Sequence, residues 1–252
     1  MPGPRVALFV TCLVDLFRPS VGFATVKLLE DAGCTVEVPA AQTCCGQPAW
    51  NAGDRATARG FARAVIAAFE GYDYVVAPSG SCGATIAKDY AAMFDAGDPW
   101  AARAQAMGAR THEITAFLAD VLGVTAVAQE AAVVATYHDS CSGLRSLGVR
   151  DQPRRLLASV AGLELREMVE SDVCCGFGGM FCVKYPDISN SMVADKTRHV
   201  AETGADLLLA GDLGCLLNMA GKASREGRGF KARHVVEVLA GDLDGPAIGE
   251  AP

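Results

Sequence analysis

The chain has 252 residues, half of them apolar and a fifth charged, enough for one large domain or two small ones with proper cores. Its 22 Lys and Arg stand against 29 Asp and Glu, a net charge of −7 with no basic run, which argues against nucleic acid and anionic membranes as partners. No apolar stretch approaches the roughly 20 residues of a membrane-spanning helix, so no membrane insertion is expected.

In chain order, the first apolar run covers 6–11. Cys12 and Asp15 follow it at once without a small-residue cleavage site, so it reads as a strand rather than an export signal. Further extended segments are expected at 35–39, 74–77, 132–137, 163–168 and 207–210, short runs bounded by Gly, Pro, Ser or Asp. Helical patterns lie between them at 21–32 with Ser20 as N-cap, at 55–69 after Asp54, and at 188–203. Strand–helix alternation of this kind implies an α/β fold with parallel sheets and helices on both faces. Two homologous lobes are expected, over 1–125 and 130–241, joined through 123–131. The stretch 242–252, with two Gly and two Pro, reads as a flexible tail.

Eight of the ten cysteines form one pattern that occurs twice: Cys12, Cys44-Cys45-Gly46, Cys82, and Cys141, Cys174-Cys175-Gly176, Cys215. Between Cys12 and Cys44 lie 31 residues, and between Cys141 and Cys174 lie 32. Gly46 and Cys82 are separated by 35 residues, Gly176 and Cys215 by 38. Each cysteine or pair follows an expected strand. In a parallel sheet all four thiols of a set therefore collect at the carboxyl edge, where open α/β sheets bind ligands. Adjacent cysteines in a straight strand point to opposite faces, so both can serve one site only if the backbone turns, which the following glycine permits. With no export signal a reducing cytoplasm is expected, where thiols are more often ligands or catalysts than structural disulfides. Four thiolates per lobe suit an iron–sulfur centre. Structural zinc is the nearest rival, but it usually sits in short Cys-x-x-Cys-type hairpins, and no two cysteines here are three apart. The same gap removes the thioredoxin-like reading.

The strings Cys12-Leu-Val-Asp-Leu-Phe-Arg-Pro-Ser-Val-Gly22, Gln42-Thr-Cys-Cys-Gly-Gln-Pro-Ala49, Pro78-Ser-Gly-Ser-Cys82, Tyr137-His-Asp-Ser-Cys141, Cys174-Cys-Gly-Phe-Gly-Gly179 and Gly214-Cys-Leu-Leu-Asn218 are more specific than a lone Cys-Cys-Gly. Through them the chain resembles, over about 1–240, the cysteine-rich CCG-domain (Fe–S)-binding family. That family includes the CCG-bearing component of heterodisulfide reductase and the iron–sulfur subunit of glycolate oxidase; the closer resemblance is to the lactate utilisation protein A group. The resemblance implies an iron–sulfur protein that works with two sister proteins, one carrying ferredoxin-type clusters, in oxidising L-lactate to pyruvate. The heterodisulfide reductase version ends each set in Cys-x-x-Cys, whereas here the partner positions hold Thr85 and Asn218. That departure points away from its five-cysteine cluster and towards a four-cysteine centre, or one completed by a non-cysteine ligand.

The eight cysteines are therefore the expected ligands of one or two clusters, [4Fe–4S] being the favoured type. Cys182, six residues beyond Gly176, is balanced between a packed thiol and an extra ligand or redox-active group, and Cys34 reads as a small buried residue. His138, three residues before Cys141, is a further candidate ligand or proton relay, although a hydrogen-bonded structural histidine is the commoner case. His112, His199 and His234 read as ordinary helix positions. Arg18 and Lys184 could face an anionic substrate but read first as solvated surface charges. The glycines around Cys82 and Cys175 fit neither Walker A nor the dinucleotide fingerprint. With no flavin or nicotinamide motif, an electron-transfer subunit not catalytic alone is expected. The alternatives are a thiol–disulfide redox enzyme and a zinc-stapled scaffold.

Overall fold

In the computed structural model, which describes residues 3–250, two four-stranded parallel sheets follow one another along the chain. The first has the order β2-β1-β3-β4, with β1 at Arg5–Leu8, β2 at Thr35–Glu37, β3 at Tyr74–Ala77 and β4 at Thr111–Glu113. The second repeats it as β6-β5-β7-β8, from β5 at Glu130–His138, β6 at Ala161–Leu165, β7 at Leu207–Ala210 and β8 at Lys231–His234. The registers match as well: Leu8 pairs with Val76 in the first sheet, Tyr137 with Leu209 in the second. Helices cover both faces, as parallel sheets require. No helix among the described residues is long and apolar enough to cross a membrane.

Alternation along the strands divides the core. In β3, Val75 and Ala77 pack with Phe69 and Met107 on one face, while Val76 joins Leu29 and Phe117 on the other. That second face is continuous with the core of the other lobe: Leu28, Phe117 and Leu118 share one apolar cluster with Leu156, Val236 and Leu239. The helices Pro19–Asp31 and Val235–Ala240 meet at this seam.

Polar bonds close the seam near the ends of the strands. Arg18 Nε and Ser20 Oγ each donate to the buried Glu237 Oε1 at 2.8 Å. His234 Nε2 lies 3.1 Å from the Pro78 carbonyl, and Gly80 N donates to the Gly211 carbonyl at 3.2 Å. Gly80 has no room for a side chain: a Cβ would lie 2.6 Å from Ser140 Oγ and 2.8 Å from Gly143 Cα.

Three expectations are corrected here. The second helix begins at Pro19, whose fixed φ suits a first turn, so Ser20 lies inside it and its hydroxyl bonds Glu237 instead of capping. His112 lies in β4 and His234 ends β8, so neither is a helix position. The stretch read as a flexible tail is docked as far as it is described: Ala247 and Ile248 are buried, Ile248 N donates to Ala232 O at 2.9 Å, and Arg233 donates to the Leu243 carbonyl. Residues 251–252 lie outside the described part.

Candidate metal centres

Each cysteine set assembles from three strand ends. Cys12 opens the helix Cys12–Phe17 just after β1, and Cys141 opens Cys141–Leu147 after β5. Cys82 lies in the helix Gly80–Ala84 after β3, and Cys215 in the first turn of Leu213–Glu226 after β7. Thr11, Ser140, Ser79 and Asp212 cap these four helices through their side chains. The pairs Cys44-Cys45 and Cys174-Cys175 lie in loops after β2 and β6. Gly46 and Gly176 follow them at φ 82° and 83°, the left-handed conformation that lets both thiols of a pair turn inward.

In the first set Cys12 Sγ is 3.9 Å from Cys44 Sγ, and Cys45 Sγ is 3.4 Å from Cys82 Sγ. The Gly46 N–H donates to Cys44 Sγ at 3.4 Å, and Gly176 N–H does the same for Cys174. With Cys12 and Gly46 both donating to it, Cys44 is the thiol held well below its ordinary value. Cys12, the donor, is pushed up by that bond and by burial. In the second set Cys141 is raised by its bond to Cys174 and by burial. All ten cysteines are unpaired thiols.

The carbonyl of each inner cysteine is held by a different device. Tyr90 Oη donates to Cys45 O at 3.0 Å, and Asn218 Nδ2 donates to Cys175 O at 2.9 Å. Asn218 thus spends its amide on the loop backbone, and Thr85 Oγ1 donates to Ser81 O at 3.0 Å. The two positions that depart from the Cys-x-x-Cys ending therefore serve the scaffold.

A cavity of about 190 Å³ adjoins Cys12, Cys44, Cys45 and Cys82, and one of about 130 Å³ adjoins Cys141, Cys174, Cys175 and Cys215. The lobes line each other's cavities. Phe177 and Gly179 of the second lobe reach the first cavity, Gln47 and Ser81 of the first lobe reach the second, and Asp212 borders both. Two thiols 3.4–3.9 Å apart also match the roughly 3.8 Å edge of a tetrahedron of sulfurs around one zinc. A single ion needs no space beyond its tetrahedron, however, and the cavity beside each set suits a multi-atom inorganic core. The donor set fits an iron–sulfur group.

Of the remaining candidates, His138 is brought to the second set: one ring nitrogen lies within 4.8 Å of the Cys175 and Cys215 sulfurs, and both ring nitrogens are buried without a hydrogen-bond partner. Burial holds its pKa down at about 3, so it is neutral. Cys182 is not brought in. It donates to the Gly179 carbonyl at 3.3 Å and lines neither cavity. Cys34 is buried in the core, Lys184 is exposed, and Arg18 is neither substrate-facing nor a free surface charge, being paired with Glu237. Sequence reasoning missed Asp212, Tyr90 and the buried Lys196; none lies in a recurrent string, and only the fold brings them to the thiols.

Two lobes of one topology, each gathering Cys, Cys-Cys-Gly and Cys at its strand ends, define a tandem cysteine-rich-domain protein, and the sequence model of the Cysteine-rich domain, CCG, matches residues 6–87 and 135–220. Lactate utilization protein A of Geobacillus kaustophilus is 49% identical over 93% of this chain and 98% of its own length. Lactate utilization protein A 2 of Bacillus mycoides and Lactate utilization protein A of Oceanobacillus iheyensis are 48% and 46% identical over the same share of this chain. The chain belongs to the lactate utilization protein A family. Among solved structures, a hypothetical protein from Helicobacter pylori shares the fold at a TM-score of 0.69 and 11% identity, over all of this chain and 50% of that one.

Proposed function

We propose that the chain is an iron–sulfur electron-transfer subunit of a multi-protein system that oxidises L-lactate to pyruvate. The observation that carries this reading is the gathering of eight cysteines into two four-thiol groups, one per lobe, each beside a cavity. Cys12, Cys44, Cys45 and Cys82 would hold one centre, and Cys141, Cys174, Cys175 and Cys215 the other, with [4Fe–4S] the type favoured by four-cysteine ligation. Such centres supply one-electron chemistry. The Gly46 N–H stabilises thiolate on Cys44, the Gly176 N–H gives Cys174 the same bond, and side-chain caps fix the helix starts that carry Cys12, Cys82, Cys141 and Cys215.

The lactate role rests on the relatives' name. Removing two electrons and a hydride from lactate usually needs flavin or nicotinamide, so partner proteins would carry that chemistry: two sisters, one with ferredoxin-type clusters. Access supports exchange with a partner. A cleft of about 360 Å³ opens on Cys12 and Cys44, and the helix starting at Cys12 leaves Leu16 and Phe17 in solvent. The thiol–disulfide reading loses ground because Thr85, Asn218 and Cys182 are all engaged with backbone carbonyls. Zinc keeps the support of the sulfur spacing.

The test is anaerobic purification followed by iron, acid-labile sulfide and zinc per chain, with EPR of reduced and oxidised protein. Iron and sulfide in matched amounts with a cluster signal are expected. Zinc without sulfide would replace the redox subunit by a scaffold.

A further inference from the structure

The duplicated lobes differ at two buried positions beside the thiols. His138 stands three residues before Cys141, at the end of β5; three before Cys12, just past the end of β1, stands Phe9. Phe9 is fully buried in the cluster that contains Cys45, as His138 is buried beside Cys175 and Cys215. The second difference lies on the helices beneath the Cys-Cys-Gly turns. Gly46 sits over the Ala58 carbonyl and Phe61, and Gly176 over the Ser189 carbonyl and Met192, which aligns the helix Arg55–Phe69 with Pro186–Glu202. Seven residues beyond Ala58 is Val65; seven beyond Ser189 is Lys196. Val65 is fully buried, and Lys196 is 2% exposed.

A buried ammonium is costly unless a negative charge faces it. The hydrogen bond of Lys196 goes to the neutral Glu170 carbonyl, and among the described residues no carboxylate pairs with it. Burial pulls the Lys196 pKa down, and the acidic groups that oppose this are Cys175 first, then Asp172 and Glu170, both exposed, and Cys174. Nearby acids on the other side are already engaged: Asp139 is held by Arg154 at 2.8 Å, and Asp212 accepts from Ser79, Ser81 and Gly214. An imidazole with both nitrogens buried and unpartnered likewise calls for a polar group. Thiolates and the sulfur of a bound centre answer both needs in the second lobe. At the matching positions of the first lobe, Phe9 and Val65 pose neither.

We propose that Lys196 and His138 make the two centres inequivalent, a cation and an N–H donor biasing the second lobe to keep an added electron that Phe9 and Val65 leave unfavoured in the first. This rests on the iron–sulfur reading and deepens it. The balance is one electron, supplied by an external one-electron reductant; the second site is reduced, the reductant oxidised, and no proton moves. Hydrogen bonds to sulfur and local charge are general determinants of cluster potential.

The test is an EPR-monitored potentiometric titration of the anaerobically purified full chain with dithionite and mediators. Cys45→Ser and Cys175→Ser, each disabling one set, assign the waves. Two waves are expected, the more positive one missing in Cys175→Ser. Lys196→Met should move that wave to more negative potential by at least tenfold in the one-electron equilibrium, about 59 mV, and leave the other in place. His138→Phe should move it the same way and reads the asymmetry independently if the lysine variant folds poorly; Lys196→Arg should restore most of the shift. Coincident waves, a more positive wave assigned to the first set, or an unmoved wave in both Lys196→Met and His138→Phe would overturn the proposal while leaving the iron–sulfur reading intact. Protein without iron and sulfide would overturn that reading and this assignment with it.

Discussion

Asp212 of the second lobe accepts a hydrogen bond from the Ser81 N–H of the first at 2.9 Å. The same Oδ2 accepts from Ser79 Oγ at 3.1 Å, and Oδ1 accepts from Gly214 N at 3.2 Å. One buried carboxylate therefore closes the starts of two helices, Gly80–Ala84 with Cys82 and Leu213–Glu226 with Cys215. A cap on one lobe is part of the other lobe's thiol site.

Replacing Asp212 with Ala should thus disturb both sets together. Losing a cap costs about 1 kcal/mol, and leaving buried donors unmet adds about 1–3 kcal/mol. Urea unfolding should show a loss of roughly 2–4 kcal/mol, with reduced metal at both sites. Asp54→Ala is the control: Asp54 caps Arg55–Phe69 through Thr57 N at 3.1 Å, away from the thiols, and should cost about 1 kcal/mol with metal content unchanged. Full metal retention in Asp212→Ala would remove the link between the cap and the sites.

Cysteine replacement separates ligands from bystanders. Cys45→Ser and Cys175→Ser should each remove one set's iron and its share of the visible absorbance, whereas Cys34→Ser should leave both, because Cys34 is buried in the apolar core away from either cavity. Cys182→Ser should also leave both, its thiol being turned to the Gly179 carbonyl. Iron counts per chain decide this, and full retention in Cys45→Ser and Cys175→Ser alike would sink the ligand assignment.

Glu113 gives stability a specific pH dependence. Its Oε2 accepts from Thr115 N, Thr115 Oγ1 and Ala116 N, but Oε1 is buried without a partner, and burial pushes the carboxyl from 4.5 up to about 7. Between those values the folded chain holds a proton that the unfolded chain has released, so this contribution is complete below about pH 4.5 and is lost as pH rises through 7. His138 and His234, held down at about 3 and 4 by burial, act oppositely: their contribution is present above about 6.5 and lost as pH falls through their folded values. Comparing the chain with Glu113→Gln isolates the carboxyl. From about pH 5 to about pH 8 the parent should lose on the order of 3 kcal/mol relative to the variant. Parallel stability profiles would count against a proton held at Glu113.

Gly80→Ala tests the seam between the lobes. The new methyl would lie 2.6 Å from Ser140 Oγ and 2.8 Å from Gly143 Cα, so backbone must move. Overpacking of this kind costs about 1–3 kcal/mol, and thermal unfolding should show it. Gly60→Ala, where nothing lies within 4 Å of the new methyl, should be neutral or stabilising.

The two lobes and their thiols were legible because they rest on period and repetition. The segments 74–77 and 207–210 coincide with β3 and β7, and Asp54 caps Arg55–Phe69 as read. Of the edge strands, β2 and β6 were legible but β4 and β8 were not. Thr111-His-Glu113 and Lys231-Ala-Arg-His234 carry polar side chains and lack the apolar run by which a buried strand is recognised. The docking of 242–250 was missed because Gly and Pro mark turns equally well in a loose tail and in a packed one. Lys196 stayed hidden for a different reason: a lysine on a helix is expected in solvent, and only the three-dimensional placement shows otherwise.

Because no strand among the described residues is exchanged between the sheets, the polypeptide could be severed at exposed Thr125 and Ala126 with each described strand and each thiol set left whole on its own fragment. The fragments should re-associate on co-expression, since Leu28 and Phe117 of one and Val236 and Leu239 of the other bury a common apolar surface. A protein made in two pieces, each produced separately and then combined, can be isotopically labelled in one alone, for instance with deuterium on the β-carbons of a single fragment's cysteines. The spectroscopic signature of each half could then be read in the intact assembly without mutating a ligand.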